Sequence, residues 1–338
     1  MSTALFEKTT HSLPTKKARK IRVALFGFGV VGSGVWEVLQ SNRQEFLRQF
    51  GVEFDVAGIC VRDMQKQRLV NVPAELLSDK IEPLLEDDSI DIVLELIGGR
   101  YEAATLIEQA LRGRKHVITA NKLVLAYELP RLAAVAERSG VELLYSASVC
   151  GSVPVIAALD ELRTRDTITK ITGIVNGSTN FILTMMSEKS VSFERAVDEA
   201  RTRGFLEADA SLDLSGADAA QKLSVLAYHA FGQHIKPHEI ETHGIENITS
   251  DDIRAARDEG ETIKLLATAY LDGDRVKAVV SPQRVPLASI FAHTRDEFNA
   301  LEIEARHAGP QLLYGKGAGS LPTASAVISD LVSLVRGE

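Results

Sequence analysis

The chain has 338 residues, 45% hydrophobic and 25% charged, with a net charge of −8, which is enough to bury the core of one large α/β unit or of two domains. The acidic balance argues against a nucleic-acid partner, which would select a basic face, and no apolar run approaches the length of a membrane span. Two cysteines, Cys60 and Cys150, are too few for a disulfide framework or a multi-cysteine metal site, so a reducing, cytoplasmic compartment fits best.

Residues 1–20 carry Lys16, Lys17, Arg19 and Lys20 but no apolar stretch. They read as a disordered arm rather than a secretory signal, with a short organelle-targeting extension as the alternative. Next, β-rich runs alternate with helical patterns. Strands are expected at Ile21–Phe26, Phe54–Val61, Asp91–Ile97, His116–Thr119 and Val141–Tyr145. Helices are expected near Ser33–Phe50, Glu102–Arg112 and Pro130–Arg138. This alternation predicts right-handed βαβ crossovers and a parallel sheet.

Strand Ile21–Phe26 runs straight into Gly27-Phe28-Gly29-Val30-Val31-Gly32 and a helix. In such a loop the first glycine permits a tight turn and the second lets backbone approach a pyrophosphate. The third lets the helix pack on the strand, with the helix N-terminus facing the phosphate charge. A lone GxGxxG is weak evidence; the strand before it and the helix after it make it specific. The ribose-reading position falls at Val61-Arg62-Asp63. Asp63 would accept from NAD hydroxyls, whereas Arg62, helped by Lys66, would pair with the NADP phosphate. NADP is the preferred reading and NAD the alternative. Glu53 and Asp55 lie nearer the usual sequence distance, but at the wrong end of their strand.

Past a boundary near Ser146 the pattern changes to α+β. Helices are expected around Val155–Leu162, Asn180–Ser187, Phe193–Arg203 and Gly216–Phe231. Strands of an antiparallel sheet follow at Ile263–Tyr270, Val276–Arg284 and Leu301–Arg306. The expected organisation is a Rossmann-type dinucleotide domain at 21–145, an α+β substrate and dimerisation domain at 146–319, and a C-terminal helix in 320–338, about Pro322–Val335, packing back on the first domain.

Within the second domain Glu207, Asp209 and Asp213 lead into a helix, with Ser215 the expected N-cap and Asp218 its capping-box partner. Asp218 and Lys222 are spaced i, i+4 and share a face. Partial burial would lower the Lys222 pKa and suit it to exchange a proton with a substrate hydroxyl. Acid-rich helix starts and i, i+4 ion pairs are also common on solvated surfaces, and from spacing alone that reading stays open.

At this point the chain resembles homoserine dehydrogenase, in several separated places and in the expected order. The carriers are GFGVVGSG at 27–34, ELIGG at 95–99, TANK at 119–122, GIVNGSTNFILTMM at 173–186, the acidic segment ending at Lys222, and YGKGAGSLPTASAVISDL at 314–331. The resemblance implies interconversion of L-homoserine and L-aspartate 4-semialdehyde, an oxidoreductase step of threonine and methionine biosynthesis. It implies that Lys222 is the proton donor and acceptor. Glu207, Asp213 and Asp218 would hold the amino acid substrate, with Asp218 also at the catalytic centre and Lys122 at the junction of cofactor and substrate. Backbone would approach the cofactor at Gly27 to Gly32, Ile97, Gly98, Gly204, Gly317 and Gly319. A homodimer or higher oligomer is implied as well.

The chain departs from the family at Tyr145–Ile156, YSASVCGSVPVI. Family members usually carry an acidic residue where Ser146 stands, in a region that binds a monovalent cation partly through carbonyls, here Val149, Gly151 and Val153. A cation site and a purely structural turn are both open. Cys150 raises a rival enzyme, an acylating aldehyde dehydrogenase with a cysteine nucleophile, although no catalytic histidine can be assigned and a small packing cysteine is the default. A non-catalytic dinucleotide sensor is the other alternative; the retention of both Lys122 and Lys222 argues against it. The chain stops soon after its last helix, so a built-in regulatory domain is not expected.

Overall fold

The structure, a computed structural model, describes residues 18–206 and 209–337. The first domain runs β1 (Arg19–Phe26), α1 (Val30–Ser41), α2 (Arg43–Phe50), β2 (Val52–Cys60), β3 (Leu77–Ser78), α3 (Glu82–Glu86), β4 (Ile92–Glu95), α4 (Tyr101–Arg112), β5 (His116–Thr119), α5 (Lys122–Ser139) and β6 (Leu143–Leu144). Its six strands are all parallel, in the order β3-β2-β1-β4-β5-β6. Helices cover both faces, which is why Val23 to Phe26 and Ile92 to Leu94 read as continuous apolar runs and are buried throughout.

The second domain continues with α6 (Val155–Arg165), β7 (Ile168–Ile174), α7 (Gly177–Lys189), α8 (Phe193–Thr202), α9 (Ser211–Leu214), α10 (Ala217–Phe231), β8 (Glu241–Thr242), α11 (Ser250–Asp258), β9 (Glu261–Asp272), β10 (Arg275–Pro286), α12 (Ile290–His293), β11 (Phe298–Ala305), β12 (Gly309–Lys316) and α13 (Ser320–Arg336). Its sheet has the order β12-β11-β7-β9-β10-β8. All neighbours are antiparallel except β8 and β10, a parallel pair of two residues, so the sheet is mixed rather than antiparallel as expected.

Helix α13 returns to the first domain. Ala324, Val327 and Leu331 share a buried cluster with Val35, Leu39 and Ile21. The close approach depends on Gly34, where a Cβ would stand 2.7 Å from Ser320 Oγ.

Several boundaries differ from the sequence reading. The first strand begins at Arg19, so Arg19 and Lys20 belong to the sheet rather than to an arm; residues 1–17 lie outside the described residues. The single helix expected at Ser33–Phe50 is two, broken at Asn42, and the second turns Phe46 edge-on to Phe54 at 5.3 Å. Helix α5 starts eight residues before Pro130, which sits inside it. Strands β7 and β12 were not anticipated. At α10 the N-cap is Gly216, in the left-handed region at φ 81°, and Ser215 instead closes α9. The capping box is therefore absent, and the Asp218 side chain is directed elsewhere.

Candidate active site

Strand order in the first sheet reverses between β1 and β4, which opens a crevice at the carboxyl ends of the strands. The three glycines of the loop fit a phosphate cradle on separate grounds. Gly27 has φ +101°, and a Cβ there would stand 2.5 Å from the Leu96 carbonyl oxygen. A Cβ at Gly29 would meet nothing within 4 Å, so this side of the backbone is open to a ligand. A Cβ at Gly32 would meet the Gly27 oxygen at 2.5 Å, so only glycine lets α1 approach this closely. Gly29 is also the N-cap of α1 and supplies no side chain, which leaves first-turn N–H groups for an anion. Phe28 is buried against Trp36, Val30 is exposed beside the half-buried Val31, and the Val30 carbonyl accepts from Ser320 Oγ at 2.8 Å. The Gly27 N–H donates to the Cys60 carbonyl at 2.9 Å, which brings the end of β2 next to the loop; Arg62, Asp63 and Lys66, further along the chain, are exposed. Glu53 and Asp55 are engaged at the other end of β2, with Arg43 and Lys20 respectively.

A buried carboxyl that the sequence reading did not single out organises the far side of the crevice. Glu95, fully buried at the end of β4, accepts from Thr119 Oγ1 and from the Ile97 N–H at 3.0 Å. Asn121 reaches the same carboxyl, and its amide donates to the Ile97 and Gly99 carbonyls at 3.1 and 2.8 Å while its oxygen caps α5. The loop of Ile97 and Gly98 is thereby tied to the start of α5, where Lys122 stands. Burial pushes the Glu95 carboxyl up to about 7, against the pull of the Thr119, Asn121 and Ile97 donors. A carboxyl raised on folding holds its proton more tightly folded than unfolded. It therefore costs stability as pH rises from its ordinary range to about 7. Glu95→Gln, which keeps the shape without the charge, is expected to gain on the wild type between pH 5 and 8, by a ceiling on the order of 3 kcal/mol. Chemical denaturation across that range reads the difference, and a gap between the two proteins that does not change with pH would refute it.

The chemistry-bearing groups meet where α5 and α10 start. Asp218 Oδ2 accepts from Lys222 Nζ at 2.8 Å and Oδ1 from Lys122 Nζ at 3.0 Å, so one carboxylate bridges two ammonium groups brought from different domains. Asn176 Nδ2 donates to Asp218 Oδ2 at 2.9 Å and to Asp213 Oδ1 at 2.6 Å. The side chain of Asp218 is 11% exposed and that of Lys222 13%. Burial alone would raise the Asp218 carboxyl; the Lys222 and Lys122 charges and their hydrogen bonds outweigh it and hold the group well below the ordinary carboxylate range. For Lys222 burial pulls downward, but the charge and hydrogen bond of Asp218 win and its ammonium is raised. This corrects the sequence expectation: Lys222 is desolvated, yet its counter-ion keeps it protonated. Two of its three N–H groups go to Asp218 and to the Val175 carbonyl, 2.7 Å away. One remains for the cleft that Lys222 lines.

That cleft measures roughly 540 Å³ and brings Lys122, Asp213, Asp218 and Lys222 together with Gly204, Gly317 and Gly319. Burial raises the Asp213 carboxyl, and Asn176 satisfies one of its oxygens. Glu207 lies outside the described residues. Asn176 was quoted within a motif and given no role. Its position before α7 is the available signal: its oxygen caps Thr179 N–H, which turns its amide toward the carboxylates.

The turn of Val149, Gly151 and Val153 abuts this cleft, because a Cβ on Gly151 would strike Lys316 and Gly317 backbone. The Val153 carbonyl accepts from Val155 N–H at 2.7 Å, and the Cys150 carbonyl from Val153 N–H at 3.0 Å. At Ser146, just before this turn, a carboxyl arrives from α13. Asp330 accepts the Ser146 N–H at 2.9 Å and is pushed up to about 6 by burial. Cys150 is buried, and burial pushes its thiol up to about 11, the opposite of what an acylating nucleophile requires. Among the described residues no group of three or more His, Cys, Asp or Glu side chains gathers to hold a metal ion, and no helix is long and apolar enough to cross a membrane.

Comparison with known proteins gives a consistent match. The family model for the homoserine dehydrogenase NAD binding domain matches residues 27–146, and the model for homoserine dehydrogenase itself matches 154–332. Homoserine dehydrogenase of Bacillus subtilis is 37% identical over 318 residues, covering 94% of this chain and 73% of that protein. The Corynebacterium glutamicum enzyme is 38% identical over 323 residues, covering 94% and 72%. The crystal structure of a homoserine dehydrogenase from Thiobacillus denitrificans superposes with a TM-score of 0.89 at 38% identity, covering 94% of this chain and 74% of that one. A hyperthermophilic archaeal homoserine dehydrogenase in complex with NADPH gives 0.80 at 26% identity, covering 94% and 98%.

Proposed function

Because the chain belongs to the homoserine dehydrogenase family of nicotinamide-dependent oxidoreductases, we propose that its cleft interconverts L-homoserine and L-aspartate 4-semialdehyde, with Lys222 moving the proton. The observation that carries this reading is the Lys122–Asp218–Lys222 bridge in a cleft beside the glycine loop. A nicotinamide dinucleotide held at the glycine loop would supply the hydride chemistry. The chain's own residues do the rest. Lys222, kept cationic by Asp218, gives a proton to the oxygen that develops negative charge during reduction, and recovers it during oxidation. A carboxylate has about four acceptor positions, and three of those on Asp218 are taken by Lys122, Lys222 and Asn176. Asp218 is therefore assigned to holding the lysines, and the free oxygen of Asp213 to the substrate ammonium. The role that the family resemblance implies for Glu207 stays with that residue as an expectation.

The dinucleotide preferred is NADP, on the exposed Arg62 and Lys66 that follow the end of β2, the strand end that meets the loop at Cys60. Arg62→Ala is expected to weaken NADP by roughly 10- to 100-fold, the worth of a charge-assisted bond, and NAD by much less. Nicotinamide absorbance with homoserine, run with each dinucleotide, tests the reaction and the preference together. Absence of reduction with both dinucleotides would remove the reaction, and an equal loss for both in the variant would remove the NADP reading. The proposal includes a cytoplasmic enzyme that forms a homodimer or higher oligomer through the second sheet, where Leu312 and Tyr314 stand exposed on β12.

A further inference from the structure

Proline inside a helix removes one i→i−4 hydrogen bond and leaves a carbonyl without its helical donor. In α5 the proline is Pro130, and the carbonyl is that of Ala126, one turn beyond Lys122. Ala126 itself is completely buried, so an orphaned carbonyl there would be expensive. It is not orphaned. His234 Nε2 stands 3.0 Å from it, and Ser224 Oγ 3.2 Å. Ser224 has a single hydrogen, and the Ile235 carbonyl is nearer, at 2.6 Å. That leaves the His234 ring N–H as the donor on which the Ala126 carbonyl chiefly depends.

Both partners come from the second domain. Ser224 lies on α10, two residues past Lys222, and His234 follows the glycine that ends α10. The same loop adds a further contact, with His238 stacked on Tyr127 of α5 at 6.3 Å. Helices α5 and α10 therefore touch at two levels. At their starts Lys122 meets Asp218, and one turn further along α5 the Ala126 carbonyl meets Ser224 of α10 and His234 of the loop after it. Two separated contacts along one pair of helices constrain slide and rotation more tightly than either alone.

We propose that His234, with Ser224, is a positioning residue for the reaction: by occupying the carbonyl that Pro130 frees, it sets the register of α5 on α10 and so holds Lys122 against Asp218. The broken helical bond then has a use, because an uninterrupted α5 would spend the Ala126 carbonyl on its own backbone. The inference rests on the proposed reading of the Lys122–Asp218–Lys222 group as the catalytic centre.

The test uses the full chain and two variants at position 234. Glutamine places an Nε2 donor the same number of bonds from the backbone as histidine does; alanine removes it. His234→Ala is expected to lower kcat on homoserine roughly 3- to 10-fold, the size of one lost hydrogen bond, with KM for the dinucleotide unchanged within about twofold. His234→Gln is expected to restore kcat. Hydrogen–deuterium exchange should quicken in peptides covering 122–129 and 217–224 in the alanine variant alone, with β1 and α1 unaffected. Unchanged kcat in His234→Ala, or equal loss in both variants, overturns the proposal, since bulk or ring stacking would then be the role. If the wild type shows no reaction with homoserine, the functional reading falls by itself, and exchange over 122–129 still decides whether the contact sets the register of the two helices.

Discussion

Lys222→Met is expected to cut turnover by roughly 10²- to 10⁴-fold, the range for loss of a positioned acid or base, while dinucleotide affinity changes only slightly. The separation follows from location. Lys222 lines the cleft and holds Asp218 and the Val175 carbonyl, whereas the glycine loop stands on the other domain. Methionine matches the length of the buried stem without the charge, so the neighbouring packing survives. Asp218 keeps Lys122 and Asn176 as partners, which spares the variant a wholly uncompensated buried carboxylate. Reductive turnover at neutral pH should suffer most, because there the enzyme must deliver a proton. Stopped-flow absorbance of the nicotinamide, beside a fluorescence titration of dinucleotide binding, reads the two quantities apart. Turnover within a few-fold of wild type would take Lys222 out of the mechanism and leave Lys122 as the only cation of the bridge to consider.

Much of this arrangement is local and therefore legible in the chain. The run from Ile21 through Gly32 specifies strand, turn and helix by composition alone, and the i, i+4 spacing of Asp218 and Lys222 puts them on one face in any α-helix. Contacts between distant segments are another matter. Nothing local says that Lys122 meets Asp218, which depends on how the two domains dock, or that Asn176 joins Asp213 to Asp218, which depends on how segments distant in sequence pack within the second domain. The pKa of Lys222 shows the consequence. Burial was readable from its neighbours, but the sign of the shift depends on the Asp218 counter-ion, whose charge is held by Lys222 itself and by Lys122 from the other domain.

The misplaced elements have physical causes of the same kind. Strand β12, Gly309–Lys316, contains glycine and proline and reads as loop; it is an edge strand, where proline is tolerated. Strand β7 alternates only weakly because it lies between β11 and β9, with residues buried on both faces. In α5 the helix is expected from Pro130, since proline suits a first helical position. The helix runs through it because the freed carbonyl finds donors on α10 and the loop that follows. Gly216 displaced Ser215 as the cap of α10 because the chain must leave α9 through the left-handed region.

Asp218→Asn should do more damage than its size suggests. The wild-type carboxylate accepts from Lys122 on one oxygen and from Lys222 and Asn176 on the other. An amide offers only one oxygen, so in either orientation its NH₂ faces a donor. The two ammonium groups also lose the anion between them. Breaking a buried pair of this kind costs about 3–5 kcal/mol, and the folded fraction must be checked by thermal unfolding before rates are compared. In the folded variant the effect on Lys222 has a definite sign. Burial still pulls its pKa down, and the Asp218 charge that raised it is gone. The ammonium should then lose its proton at lower pH than in the wild type. Homoserine oxidation, which needs the neutral amine, would keep part of its rate and reach it at lower pH. Semialdehyde reduction, which on the proposed role of Lys222 needs the ammonium, would lose more of its rate at neutral pH than oxidation does. Profiles of kcat against pH in both directions separate this from a general loss. A uniform drop with the profile unmoved would mean that Asp218 only supports the fold, and that the charge state of Lys222 is set by something else.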